Sequence, residues 1–248
     1  MKPEAPDFSP LAGVYARARP RYPDELFAWL ADRAPERELA WDCATGSGQA
    51  AVGLAARFAR VVATDVSAEQ IRHAAPHPRV EYRVAPAERP GLAPGSADLV
   101  TVAAALHWLD PAPFFAAVRR ALRPGGLFAA WSYHAGTLEP PLAEVFSRFY
   151  WRRIRPYFAP GAELVDDGYR SIAIPGEPVP APAFRIEVEW TLAQALDYVA
   201  SWSAVASYRQ ARGEDPVPEL AAELAPIWGD AGRALVVRMP LFLRVHRL

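Results

Sequence analysis

Residues 38–58 read ELAWDCATGSGQAAVGLAARF. Leu39, Ala40 and Trp41 have the apolar, aromatic character of a buried strand. Asp42 ends that run, and Thr45, Gly46, Ser47 and Gly48 follow as a turn. Beyond Gly48, Val52, Ala55, Ala56 and Phe58 recur at helical spacing. Strand, glycine turn and helix succeed one another with no spare linker. That arrangement aims backbone N–H groups and a helix N-terminus at whatever lies above the strand.

Working outward, the same rhythm repeats. RVVATDVS is an apolar run ending in Asp65, AEQIRHAA reads as a helix stopped by Pro76, and VEYRVAP and DLVTVAAA read as further strands. PAPFFAAVRRAL then predicts a helix, RPGG a turn and LFAAWSY a strand. Upstream, LAGVYARA predicts a short helix before Pro20, and Pro23 with Asp24 and Glu25 opens a second one. Beyond Gly136 the alternation breaks. An aromatic helix is predicted over 142–154, then a Pro-rich connector over 175–182, the strands FRIEVEW and RALVVRMPLFLRVHRL, and helices over 192–209 and 218–228 between them. Strands alternating with helices predict an α/β fold with a doubly wound, mostly parallel sheet. The expected organisation is one domain: a core over 35–134, an N-terminal cap over 1–34, a lid over 135–182 and closing elements over 183–248.

Composition narrows the chemistry. The chain has 248 residues, 52% of them hydrophobic, and a formal charge of −1, so a full core is within reach. Lys2 is the only lysine among 27 basic residues, the arginine bias of a GC-rich bacterial genome. A phosphate loop ending in Gly-Lys-Ser/Thr is excluded, as is a buried Schiff-base lysine. Balanced charge argues against a nucleic-acid partner. No window approaches the roughly 18 apolar residues of a membrane span. No signal peptide is expected, and the single Cys43 suits a reducing cytoplasm. Cys43 itself reads as a small buried apolar residue. His73 and His77 have metal-ligand spacing, but Pro76 interrupts the helix between them, so no metal is expected.

Asp65 lies seventeen residues after Gly48, at the end of the second strand. There a carboxylate can accept both hydroxyls of a ribose, or it is an ordinary acid at a helix N-terminus. A nucleotide-like ligand is the leading reading, with nicotinamide or flavin dinucleotides and S-adenosylmethionine as the candidates. The dinucleotide pattern G-x-G-x-x-G would need a glycine where Ala51 stands.

DCATGSGQ, ATDVSAEQI, APAERPGL, DLVTVAAALHWLD and LRPGGLFAAW follow one another at the spacing of class I S-adenosylmethionine-dependent methyltransferases of the type 11 group, which the sequence resembles over residues 11–133. YARARPRYPDELFAWL and TLAQALDYVASWSAVASYR are similar to the branch that includes trans-aconitate methyltransferases. The resemblance implies a seven-stranded Rossmann-like sheet and S-adenosyl-L-methionine as cofactor. It implies that Asp42, Thr45, Gly46 and Gly48 surround the methionine part and that Asp65 binds the ribose. Val66 would pack on adenine near Gln70, Ala87 and Glu88 would flank the adenine amino edge, and the Ala103 carbonyl would meet the methionine amine. Ala44 departs from the family, which usually has glycine there. Glu88 is alternatively a solvated loop charge.

For the acceptor, His107 and Trp108 follow the fourth strand. His107 is either a general base or a packed, hydrogen-bonded histidine. A small, aromatic pocket is expected, with Tyr15, Arg19 and Tyr22 above, His107 and Trp108 below, and Trp131, Tyr150 and Trp151 at its sides. The resemblance also favours Tyr15 and Arg19 as contacts of the cofactor carboxylate or at the entrance to the pocket, and Arg19 is the expected anchor of an acidic acceptor. FYWRRIRPYF is either a lid helix with an apolar inner face and a basic outer one or an anion-binding cap. The reading reached is a methyltransferase acting on a small-molecule acid or hydroxyl. The alternatives are a protein that binds S-adenosylmethionine without transfer, and a nicotinamide-dependent oxidoreductase.

Overall fold

The computed structural model describes residues 20–134, 136 and 138–248. The helix expected over LAGVYARA, and with it Tyr15 and Arg19, lies outside those residues. The chain divides into two compact units. A sheet unit comprises Arg21–Tyr133, Glu163–Arg185 and Leu241–Leu248, and a helical unit takes in residues 134–162 and 186–240.

The sheet unit begins with α1 (Asp24–Arg33), β1 (Leu39–Cys43), α2 (Gln49–Ala55), β2 (Arg60–Asp65), α3 (Ala68–His73) and β3 (Val80–Val84). It continues through β4 (Ala97–Ala103), α4 (Pro111–Ala121) and β5 (Leu122–Tyr133). Three later strands are β6 (Glu177–Pro178), β7 (Arg185–Trp190) and β8 (Leu235–Arg247), of which residues 186–190 and 235–240 are counted with the helical unit. The strand order is β3-β2-β1-β4-β5-β8-β6, with β7 paired to β8 off that path. Strands β1 to β5 pair in parallel and β8 runs antiparallel to β5. This is the expected doubly wound, mostly parallel sheet. Its eighth strand, beyond the seven predicted, is the two-residue β6 inside the Pro-rich connector.

Residues 97–102 of β4 are buried without a break, because a parallel sheet is covered on both faces and leaves no wet side to alternate with. Asp98, wholly buried, holds the start of β1: its Oδ2 accepts the N–H groups of Glu38 and Leu39 at 2.9 and 2.8 Å. Arg123 Nε lies 2.8 Å from Asp98 Oδ1, although its N–H is not aimed along a hydrogen bond. RPGG, predicted as a turn, is instead a bulge within β5. The register shifts between Ala97↔Leu122 and Leu99↔Leu127. Its glycines are tied down by Leu248, whose C=O accepts from Gly125 N–H and whose N–H donates to Gly126 O.

In the helical unit, α5 (Leu142–Arg148) passes into a π turn at Phe149–Ile154 and a 3-10 turn at Arg155–Tyr157, where a single helix was predicted over 142–154. Helix α6 (Ala162–Asp166) follows and runs on into the sheet unit. The segment 192–209 forms two helices, α7 (Leu192–Ala200) and α8 (Ser203–Arg212), and α9 (Val217–Trp228) comes after them. Phe149 and Ile154 are buried, Arg152 is exposed, and the Tyr150 ring meets Trp151, Phe158 and Trp202 at 5.0, 5.7 and 5.7 Å. Arg153 lies 2.7 Å from Glu219 and over the Tyr208 ring, so its charge is balanced inside this unit. That pattern suits a helix with an apolar inner and a basic outer face.

Helix α1 lays its buried face, Leu26, Phe27, Leu30 and Ala31, toward the core. It approaches α2 at Gly53, where an added Cβ would lie 2.2 Å from the Phe27 ring. Alanine is the better helix former by about 1 kcal/mol, so Gly53→Ala isolates the contact. It is expected to destabilise the chain by about 1–3 kcal/mol in urea unfolding, the usual cost of overpacking, and Phe27→Leu in the same chain is expected to recover most of the loss. A stabilised single variant would mean that the two helices are free to separate.

Candidate functional site

In the sheet order, β1 has β2 on one side and β4 on the other, so the winding reverses between β1 and β4. Ligands of doubly wound sheets bind outside the carboxyl ends of the strands at such a reversal. Asp42 and Thr101 are register partners there. The Asp42 carboxylate is wholly buried, its Oδ1 accepting from the Thr101 hydroxyl at 2.7 Å and its Oδ2 from Thr45 at 2.6 Å. Burial pushes Asp42 up to about 6, while the hydrogen bonds of Thr45 and Thr101 pull it down and the nearby Asp65 charge raises it. Asp42 therefore sits beneath the turn and braces it through Thr45.

That turn is bound to β2. Thr45 N–H donates to Thr64 O at 3.0 Å, and Gly46 N–H donates to Asp65 Oδ2 at 2.9 Å. Asp65 Oδ1 accepts Ser67 N–H at 2.9 Å, while the Ser67 hydroxyl caps α3 through Gln70 N–H. The acid is thus fixed from both sides. Val66 next to it is 70% exposed, an apolar side chain left open beside a carboxylate. Gln70 is buried, its Oε1 3.9 Å from where a Cβ on Gly46 would stand, Ala87 belongs to the buried core, and Glu88 and Ala103 are half-buried at the ends of their loop and strand.

Gly48 has φ +82°, and a Cβ there would lie 2.2 Å from Tyr82 Oη. Tyr82 reaches this point from β3, donates to Ala75 O at 2.7 Å, and is pushed up to about 12 by burial and then by the Asp42 charge. Sequence reasoning missed Tyr82, since nothing local marks a strand residue that closes over a turn two strands away. Ala44, after β1, and Ala104, after β4, both take left-handed backbone at φ +55° and +53°. Each costs an L-residue about 1–2 kcal/mol, and strain of that kind gathers at functional sites.

Beyond β4, Leu106–Trp108 form a single 3-10 turn. The His107 ring lies against Trp108, with centroids 4.3 Å apart, and its Nδ1 is 3.0 Å from the hydroxyl of Tyr169. Burial lowers His107 to about 4, the Glu163 charge opposing, so the imidazole is neutral at physiological pH. Tyr169 is wholly buried, in left-handed backbone at φ +59°, and burial holds its hydroxyl well above the usual phenol range. The Ser132 hydroxyl and the N–H groups of Leu106 and His107 face the same oxygen and oppose that rise. Sequence reasoning also missed Tyr169; its only mark is the glycine before an aromatic in DDGY.

Tyr22 and Trp131 meet edge to face at 5.6 Å. Trp131 itself is wholly buried, so it acts behind Tyr22, and its indole N–H has no partner among the described residues. Tyr150 and Trp151 belong to the helical unit.

Two variants test this geometry. Asp42 has a folded value of about 6 against an ordinary 3.8. Its contribution to stability is therefore fully present below pH 4 and is lost as pH rises through 6. The stability of the wild type minus that of Asp42→Asn is expected to fall by on the order of 3 kcal/mol between pH 4 and 7. A difference independent of pH would mean the carboxylate is already ionised at pH 4. Ala44→Gly is expected to leave thermal stability unchanged or raise it by up to about 1 kcal/mol, because relief of the left-handed strain exceeds the entropy glycine adds to the unfolded chain. A clear loss would show that packing of the Ala44 methyl against the core dominates.

Residues 41–130 match a family model described as a methyltransferase domain. A Dictyostelium discoideum protein, provisionally named a methyltransferase, is 32% identical over 244 residues, covering 95% of this chain and 92% of its own. A solved structure from Anaeromyxobacter dehalogenans, provisionally described as a type II methyltransferase, is 43% identical with a TM-score of 0.87, over 92% of this chain and 97% of that one. One from Anabaena variabilis, also a provisional methyltransferase, shares the fold at 19% identity and a TM-score of 0.53, over 90% of this chain and 98% of its own. The likeness runs through nearly the whole chain, well past the glycine turn that dinucleotide enzymes share. The oxidoreductase alternative falls with it, and the chain belongs to the class I S-adenosylmethionine-dependent methyltransferases.

Proposed function

We propose that this methyltransferase acts on a small molecule, and that the group methylated belongs to a carboxylate or planar acid. Asp65 carries the cofactor half of the reading. Each of its oxygens accepts one backbone N–H and keeps a lone pair for a ribose hydroxyl. Exposed Val66 beside it offers an apolar face to adenine. The residues present therefore fit S-adenosylmethionine, with Thr45, Gly46 and Gly48 at its methionine part, Gln70, Ala87 and Glu88 about the base and Ala103 near the amine. Asp42 supports Thr45 from below.

When bound, S-adenosylmethionine supplies a methyl group on a positively charged sulfur. The chain's own part is to hold an acceptor in line and keep water away. His107 and Trp108 would line the acceptor side with Tyr22, and Trp131 would back them. Arg19 and Tyr15, outside the described residues, remain the proposed anchor and entrance. The likeness of the N-terminal and late segments to the trans-aconitate branch supports an acid. Among the described residues no helix is long and apolar enough to cross a membrane. The compartment proposed is the cytoplasm, where buried Cys43 would stay reduced.

Two measurements test the reading. Asp65→Ala is expected to weaken S-adenosylhomocysteine at least about tenfold by calorimetry, the loss of charge-assisted hydrogen bonds worth ~1.5–3 kcal/mol, with the fold checked by thermal melting. Unchanged affinity would remove Asp65 from the ribose. A methyl-transfer screen across acids, phenols, amines, RNA and protein is expected to show turnover on small acids. Transfer to RNA or protein alone would overturn the acceptor class, and binding without transfer to any acceptor would favour the binding-only alternative.

A further inference from the structure

We propose that Tyr169 is a positioning residue that fixes His107 as its Nε2–H tautomer, so that the ring gives the acceptor a hydrogen-bond donor and takes no proton from it. The inference rests on the placement of His107 at the acceptor side in the proposed function.

The geometry begins with one short contact. Tyr169 Oη lies 3.0 Å from His107 Nδ1, and the two rings are inclined by 28° with centroids 6.1 Å apart. A phenol hydroxyl has one proton to give and two lone pairs. The Ser132 hydroxyl and the N–H groups of Leu106 and His107 are the donors facing Oη. Donors on that side favour the lone pairs of Oη, which leaves the phenol proton for Nδ1, its hydrogen-bonded neighbour at 3.0 Å. Nδ1 then accepts, and in a neutral imidazole the remaining proton sits on Nε2. Among the described residues the hydrogen bond of this half-buried ring is made at Nδ1, and Nε2 has no partner. It is the atom of the ring left open to a ligand.

The placement of Tyr169 is built, not incidental. A bulky residue at φ +59° is an outlier that its surroundings must enforce. Tyr169 N–H donates to Leu164 O at 2.8 Å, Arg244 Nη1 donates to Tyr169 O at 2.6 Å, and Phe242 meets the ring edge on at 5.1 Å. An aromatic that only filled space would need none of this; a hydroxyl that must reach Nδ1 does.

The tautomer selects the chemistry. An Nε2–H donor holds an oxygen that carries negative charge. A carboxylate oxygen forms the new C–O bond with its own lone pair while the methyl carbon's bond to sulfur breaks and sulfur keeps that pair, so no proton has to be removed. A phenol or alcohol would have to lose one, and His107 in this tautomer does not take it.

Nitrogen-15 NMR of the uniformly labelled full chain reads the tautomer directly, with His107 assigned by its loss in His107→Gln. The expected result is a protonated Nε2 and an unprotonated Nδ1, with or without cofactor. In Tyr169→Phe, whose fold the amide spectrum reports, the pattern is expected to collapse to a mixture or to Nδ1–H. An Nδ1–H ring in the wild type, or an unaltered pattern in Tyr169→Phe, overturns the proposal. On the acid found active in the screen, His107→Gln, which keeps a donor but no base, is expected to recover about tenfold or more of the kcat/KM lost in His107→Ala, as one hydrogen bond to an anion allows. Equal losses in the two variants would return His107 to the role of base. The NMR outcome does not depend on methyl transfer, so it stands apart from a failed acceptor screen.

Discussion

A carboxylate cut off from water has to find its donors in the chain, and Asp42 is where this sheet meets that demand. Leaving such a group unsatisfied would cost several kcal/mol. Thr101 answers from β4 and Thr45 from the first residues of the turn, so one side chain ties together the two strands between which the winding reverses. The path of the turn follows from it. Once Thr45 is drawn down to Asp42, the backbone must pass through left-handed Ala44, and Gly46 N–H comes to face Asp65. The two acids divide the labour: the buried one shapes the turn, and the one at the end of β2 holds the turn's Gly46 N–H while staying partly accessible.

What the sequence discloses of this arrangement is what lies close together along it. Asp42, Thr45 and Gly48 fall within one turn, and Asp65 and Ser67 are two residues apart, so strand, turn and helix cap carry their own signals. The long-range pieces carry none. Phe27 against Gly53, Tyr82 over Gly48 and Tyr169 behind His107 join residues far apart in the chain, and only the folded sheet brings them together. RPGG has the composition of a turn, yet hydrogen bonds with Leu248 turn it into a bulge. The break between α7 and α8 comes at Ser201, whose hydroxyl donates to Tyr198 O at 2.6 Å, a side-chain bond competing with the helix. For His107 the residue types alone leave both base and packed histidine open, because burial and a buried phenol are properties of the fold.

The helical unit shows how one arginine of a basic stretch is neutralised from within. FYWRRIRPYF has the look of an anion site, but Glu214 and Glu219, some sixty residues later, neutralise Arg153. The aromatic residues between the arginines pack on one another and on Trp202. Basic charge in the sequence is therefore a poor guide to basic charge at a surface until its partners are known.

The pairing of β5 with β8 has a further consequence for how the molecule comes into being. Leu127–Tyr133 find their antiparallel partners only at Leu241–Arg247, more than a hundred residues downstream. A ribosome making this chain delivers all five parallel strands first, then the whole helical unit, and only afterwards the strand that covers the outer side of β5. During that interval an apolar strand offers an open row of amides and carbonyls to any neighbour, the situation in which nascent sheets pair with the wrong partner. The connector after Gly176, whose Glu177 and Pro178 also wait for β8, prolongs it. Synthesis of this fold thus has a vulnerable period written into its topology, and the late arrival of Leu241–Arg247 is what ends it.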